Sequence, residues 1–263
     1  MTAAPPAWDP AQYRRFEAER DRAALDLLAH IPDEPPPGEV WDLGCGSGRQ
    51  AVLLKRRHPQ ARVHGLDSSE AMLEQARRLG EDIDWRRGDI ARWAPERPAG
   101  LIFANASLQW LPDHAALFPR LGAALAPGGL LAVQMPMAWE SRHHEIMRAV
   151  AAEGPWADRL SGVDTIGPLL AAKAYYDVLS DVCGQIDIWS TTYLHALEGR
   201  DPVLEWMKGT ALRPYLTALA DDPARQGAFL SALGDALSAA FPARPDRRTL
   251  LPFPRLFLTA RRR

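Results

Sequence analysis

Apolar and polar positions follow two rhythms along the first half of the chain. Five short, mainly apolar runs read as strands: Glu39–Leu43, Arg62–Leu66, Ile83–Arg86, Leu101–Ala104 and Leu130–Met135. Between them, Arg49–Arg57, Glu70–Leu79 and His114–Leu125 place apolar residues at helical spacing. Strand and helix alternating at this pitch predict βαβ units, hence a parallel sheet with helices on both faces. Ahead of them, residues 11–30 set Phe16, Ala23, Leu27 and His30 near one helical face. Pro32 and the run Pro35-Pro36-Pro37-Gly38 end that helix.

Past Met135 the rhythm changes. Residues 137–180 and 198–240 read as helical stretches, separated by a sixth strand at Gln185–Trp189 and followed by a seventh at Arg255–Ala260. The expected fold is α/β, a doubly wound seven-stranded, mostly parallel sheet within a single domain, 1–263. A helical cap is expected from about 137–180 and 195–250. Ligands of open α/β sheets bind outside the C-terminal ends of the strands. The cap, and an N-terminal helix over about 9–30, are expected to cover that edge.

Composition narrows the field. Lys and Arg number 31 against 33 Asp and Glu, a formal charge of -2, so the basic footprint of a nucleic-acid binder is missing. Arg261-Arg262-Arg263 reads as a solvated end. Cys45 and Cys183 make neither a disulfide framework nor a metal spacing. His143 and His144 are adjacent, and neighbours on a helix point about 100° apart, so no metal is expected there. The start, MTAAPPAWDP, has no apolar signal core, and no apolar run is long enough to span a bilayer. A cytoplasmic protein is expected, with no membrane partner; its oligomeric state is left open.

The segment Asp42-Leu43-Gly44-Cys45-Gly46-Ser47-Gly48 carries the chemistry. Glycines that alternate between a strand and a helix let a ligand approach the backbone closely. The spacing is G-x-G-x-G, not the G-x-G-x-x-G of a dinucleotide site. Asp42, just ahead of the loop, opposes a pyrophosphate and suits a ligand bearing an ammonium group. Asp67 ends the second strand, where a carboxylate accepts ribose hydroxyls. Asp89 follows the third, with Ile90 placed to lie against an aromatic ring. Each acid alone is a common turn or cap residue; three at successive strand ends around a glycine loop point to a nucleoside carrying an amino acid.

The segments DLGCGSG (42–48), GLDSSEAML (65–73) and RRGDI (86–90) resemble the signature of the Rossmann-like S-adenosylmethionine-dependent methyltransferases. The resemblance implies S-adenosylmethionine as cofactor and S-adenosylhomocysteine as its product. It places Gly44, Gly46, Gly48 and Asn105 at the methionine part, where Asp42 suits the ammonium by its charge, and Asp67 with Ser68 at the ribose. Met72, Asp89 and Ile90 go to the adenine; core packing accounts for Met72 equally well.

The later segments LIFANASLQWLPDH (101–114), LAVQMP (131–136), AYYD (174–177), DIWSTTY (187–193), LRP (212–214) and FPRLFLTARR (253–262) are more specific. So is the stretch Trp8 to Phe16. Together they resemble the branch of that family that esterifies small polycarboxylic acids such as trans-aconitate. Ser47-Gly48-Arg49 departs from the Pro-Gly-Asn expected there, and residues 149–173 match poorly. The resemblance implies methyl transfer to a carboxylate of a small-molecule acid. Such a group is ionised at neutral pH and needs no general base. Gln109 and Trp110 would then serve only to position the acceptor. Arginine forks suit the other carboxylates, which makes Arg213, Arg255 and Arg20 candidates, with Tyr175, Tyr176, Tyr193 and His195 as further donors. Each of these has an ordinary structural alternative: a helix boundary at Arg213, cap core at Tyr175 and Tyr176. Two other readings stay open, methylation of another small molecule and a non-catalytic cofactor binder.

Overall fold

The computed structural model describes residues 17–34, 37–163 and 167–263, with side chains from Asp21 onward. The stretch Trp8 to Phe16 lies outside the described residues. Helix α1 (Glu17–Ala29) leads to β1 (Glu39–Leu43), α2 (Arg49–Arg57), β2 (Val63–Asp67), α3 (Glu70–Arg77) and β3 (Asp84–Arg87). Strand β4 (Ala99–Asn105), α4 (His114–Ala123) and β5 (Leu125–Pro136) follow. Then come α5 (Arg142–Ala152), α6 (Ala157–Leu160), α7 (Ala172–Leu179) and β6 (Cys183–Leu197). Helices α8 (Pro202–Lys208), α9 (Arg213–Ala218) and α10 (Pro223–Ala240) precede β7 (Thr249–Arg262).

Seven strands pair in the order β3-β2-β1-β4-β5-β7-β6. The pairs from β3 across to β5 are parallel, and β7 runs antiparallel to β5. A parallel sheet is covered on both faces, so its central strands are apolar without alternation. Strand β4 obeys this, buried at every position but its last. Among the described residues, no helix is long and apolar enough to cross a membrane.

The chain divides into two compact units. One comprises Arg22–Pro136, Leu169–Thr191 and Arg255–Arg263; the other is built mainly from Met137–Pro168 and Thr192–Pro254. The first holds β1 to β5 and the greater part of β6 and β7. It also holds α7, which the sequence places in the cap. Tyr175 and Leu179 turn the buried face of α7 inward, and Tyr175 packs against His114 and Phe118 of α4. The second unit has its own core, in which Trp156 and Tyr215 pack on Phe229, and Trp206 packs on Phe253.

Candidate functional site

Strand order reverses direction between β1 and β4, which makes a crevice at the C-terminal ends of the strands. The glycine loop leaves β1 at that point. Gly44, Gly46 and Gly48 have φ of 78°, 53° and 86°, the left-handed region that side chains disfavour. Two of the three are also crowded. A methyl group on Gly44 would lie 2.3 Å from Ser107 Cβ, and one on Gly48 would lie 2.5 Å from the Trp85 ring. Among the described residues nothing lies within 4 Å of a methyl group placed on Gly46, so this glycine borders open space there. Ser107, just past β4, holds the loop's origin by donating to the Leu43 carbonyl at 2.7 Å. Ile90 reaches the same place, its Cδ1 3.5 Å from a Cβ on Gly44. Arg120 of α4 fixes the segment bearing Ile90 by donating to the Ile90 carbonyl at 2.9 Å and to the Trp93 carbonyl.

Two carboxylates stand at the loop. Asp67 ends β2 and accepts from the Gly46 N–H at 2.9 Å and the Ser69 N–H at 2.8 Å, one on each oxygen. Each of its oxygens keeps a lone pair for a ligand hydroxyl. Asp42 is buried inside β1, and its carboxyl is pushed up to about 8, by burial first and then by the charge of Asp67. The Ala51 N–H donates to it and opposes the rise. Its Oδ2 is buried and has no donor among the described residues, and neither has Asn105 Oδ1 at the end of β4. Two unfilled acceptors on neighbouring strands fit a ligand that brings N–H donors and positive charge, such as the amino-acid end of S-adenosylmethionine. A phosphate brings neither.

The other expected cofactor residues lie on the same edge of the sheet. Ser68 is exposed beside Asp67, and the next residue, Ser69, caps α3 by accepting from the Met72 N–H at 3.4 Å. Met72 is on the buried face of α3 with Leu73 and Ala76. Asp89 is exposed and accepts from the Ala91 N–H at 2.9 Å, starting a 3-10 turn at Ile90–Arg92. Gln109 is buried on a second such turn and donates to the Ala106 carbonyl at 2.8 Å, while its Oε1 has no donor among the described residues. Trp110 is exposed.

The expected substrate residues are dispersed. Tyr175 is fully buried in the sheet unit, its hydroxyl 2.6 Å from His114 Nδ1. Tyr176 is exposed on the same helix. Arg255 is buried on β7 opposite Pro136 of β5. Tyr193, His195 and Arg213 belong to the other unit, where His195 is buried with its ring stacked on Trp206 and Tyr193. Arg213 opens α9 ahead of Pro214 rather than ending a helix. The side chain of Arg20 lies outside the described residues. Sequence reasoning missed Ser107 and Gln134. Gln134 is fully buried in register with Asn105, and neither amide atom has a partner among the described residues. A polar residue inside an otherwise apolar β5 was the available signal.

Residues 40–129 match the family model of a methyltransferase domain. Full-length relatives include the trans-aconitate 2-methyltransferases of Azoarcus sp. (strain BH72), 49% identical over 97% of this chain and 99% of that protein, and of Yersinia pestis (strain Pestoides F), 47% identical over 96% and 97%. Among solved structures, YcgJ from Bacillus subtilis superposes with a TM-score of 0.58 at 13% identity, covering 92% of this chain and 99% of that one. Geranyl diphosphate C-methyltransferase from Streptomyces coelicolor A3(2) gives 0.51 at 18%, over 96% and 82%. Fold and glycine loop thus define an S-adenosylmethionine-dependent methyltransferase. More narrowly, the chain belongs to the trans-aconitate 2-methyltransferase family.

Proposed function

We propose that this enzyme methylates one carboxylate of trans-aconitate, giving a monomethyl ester and S-adenosylhomocysteine. The observation that carries the reading is similarity running through both units: the relatives bearing that name align over about the whole chain, not over the sheet unit alone. When bound, S-adenosylmethionine supplies a methyl group on a positively charged sulfur.

Asp42 and Asn105 are assigned to its ammonium, and Asp67, held by two backbone N–H groups, to its ribose. Ile90 and Met72 are assigned to the adenine faces. Gly46 leaves the room that the ligand needs beside the loop. The acceptor oxygen is already ionised, with a reference pKa near ~4, so no side chain has to remove a proton. Positioning therefore supplies the rate, and well-aligned reactants gain roughly 7–11 kcal/mol of a barrier in this way. Gln109 and Trp110 are the proposed positioning residues for the acceptor. Arg255, Arg213 and His195 stay candidates for the carboxylates that do not react; Arg20, Tyr176 and Tyr193 are weaker ones. Tyr175 has its hydroxyl engaged by His114 and is the least suited. The reading includes a cytoplasmic location, where the thiols of Cys45 and Cys183 stay reduced.

The test is to incubate the protein with S-adenosylmethionine and, separately, trans-aconitate, cis-aconitate, citrate and a simple dicarboxylate, and to read the ester by mass. Trans-aconitate is expected to give the highest kcat/KM. No ester from any acid, with methyl transfer to a phenol or amine instead, overturns the proposal.

A further inference from the structure

A directed series of three hydrogen bonds runs through the interior of the sheet unit. It starts at the Leu170 N–H, which donates to the Tyr175 hydroxyl on α7. That hydroxyl lies 2.6 Å from Nδ1 of His114, the buried first residue of α4. The other ring nitrogen, Nε2, lies 2.9 Å from the Leu108 carbonyl. A carbonyl only accepts, so Nε2 carries the hydrogen, and Nδ1 of the neutral ring accepts from the tyrosine. Burial holds the pKa of His114 below its usual value, against the Leu108 and Leu111 carbonyls and the charge of Asp113, so the ring is neutral at pH 7. Burial raises the pKa of the Tyr175 hydroxyl, which keeps its proton.

Leu108 opens the 3-10 turn that carries Gln109 and Trp110. Leu108 and Gln109 are buried, whereas Trp110 is 39% exposed and so is the side chain of this turn that a ligand can reach. Turns of this type have poor internal hydrogen bonds, and here the Trp110 N–H meets the Ser107 carbonyl only at 3.3 Å. The turn therefore needs a hold from outside, and His114 supplies one at its first carbonyl. Burying a Tyr–His pair is costly unless every polar atom is met. Each is met here, which leaves the pair a single geometry. Apolar side chains would fill the same space without fixing that carbonyl. Methyl transfer to an ionised carboxylate draws its rate from placement, and a misplacement of about 1 Å can cost on the order of 100-fold.

We infer that Tyr175 and His114 are positioning residues of the reaction: Tyr175 fixes the tautomer of His114, and His114 holds the Leu108 carbonyl and, through the turn, Trp110. The inference rests on the reading of the protein as a methyltransferase of small polycarboxylic acids in which Trp110 positions the acceptor. It gives Tyr175, a substrate candidate from the sequence, a role without substrate contact. His114 is not among the sequence-derived candidates, because its partner on α7 lies 61 positions away.

The test separates the two ring nitrogens. A Gln amide reaches the place of Nε2, and an Asn amide only that of Nδ1. His114→Gln can therefore still donate to Leu108, and His114→Asn cannot. With trans-aconitate and saturating S-adenosylmethionine, His114→Asn is expected to lower kcat about 10- to 100-fold, with KM within about threefold of wild type. His114→Gln should recover most of that loss. Tyr175→Phe keeps the ring against Phe118 and removes only the hydroxyl; its kcat should fall about 2- to 10-fold, the worth of one neutral hydrogen bond. Affinity for S-adenosylhomocysteine should stay unchanged in all three. A merely structural role would lower the melting temperature of the Asn and Gln variants alike and leave the kcat of the folded protein as in wild type. Tyr175→Phe decides the matter should His114→Asn fail to fold. With wild type active on trans-aconitate, a wild-type kcat in Tyr175→Phe, equal losses in the Asn and Gln variants, or a cofactor affinity that falls with kcat overturns this inference alone. A wild type inactive on every polycarboxylate overturns the reading beneath it.

Discussion

Two carboxylates share the glycine-loop crevice, and the difference in how each is held makes them separable by experiment. Both oxygens of Asp67 already accept backbone N–H groups. Asp42 accepts from the Ala51 N–H, its Oδ2 has no donor among the described residues, and its carboxyl is raised to about 8 by burial and then by the charge of Asp67. Below that pH Asp42 is protonated in the free protein, and a ligand bearing an ammonium group favours its ionised form. Binding of S-adenosylhomocysteine at pH 6.5 should therefore release close to one proton from Asp42. Calorimetry in buffers of different ionisation enthalpy reads this directly; Asp42→Asn should abolish the release, and a wild type showing no buffer dependence would refute the assignment. The same raised pKa means that the charged form is disfavoured by folding. Asp42 therefore lowers stability progressively as pH climbs from 3.8 to about 8, and the ligand-free Asn variant should show a flatter profile. The glycines make a second pair. Gly46→Ala meets only backbone strain, about 1–2 kcal/mol, whereas Gly44→Ala also drives its methyl into Ser107 and should lose clearly more in urea unfolding.

At the scale of elements, the first five strands were legible because buried parallel strands are short apolar runs bounded by turn residues. The glycine loop and the acids around it were legible for a related reason: backbone freedom and charge at fixed places along βαβ units leave a local trace. Strands β6 and β7 were expected to be short, yet they run over Cys183–Leu197 and Thr249–Arg262. The far part of β6 buries Tyr193, His195 and Leu197 and exposes Leu194, so a buried His and an exposed Leu reverse the usual signs of the alternation. Helix α7 has the composition of a cap helix, and only its packing on Phe118 and His114 assigns it to the sheet unit. Contacts of that kind join residues sixty positions apart and leave no spacing to read. The apolar core of α10 is the element-scale test. Phe229 is fully buried between Trp156 and Tyr215, so Phe229→Ala should remove about 3–5 kcal/mol from unfolding stability while leaving S-adenosylhomocysteine affinity within twofold. A loss under 1 kcal/mol would mean that this core is not packed as described.

For the whole molecule, the question is whether two cores mean two independent foldings. Each unit is assembled from separate stretches of chain, and β6 and β7 each run unbroken from one unit into the other. Neither unit is thus a contiguous segment that could fold as its own chain. Melting the second unit would also release one end of each of the last two strands, β6 and β7, which are neighbours at the end of the strand order. Unfolding is therefore expected to be one cooperative transition, even though the residues proposed for the cofactor lie wholly within the sheet unit. S-adenosylhomocysteine at about 100 times its Kd should stabilise that single transition by about 2.7 kcal/mol, a shift of roughly 5–10 °C for a chain of this size. Calorimetric scans with and without the ligand distinguish the alternatives. Two endotherms, of which the ligand moves only one, would show that the units unfold separately despite the strands they share.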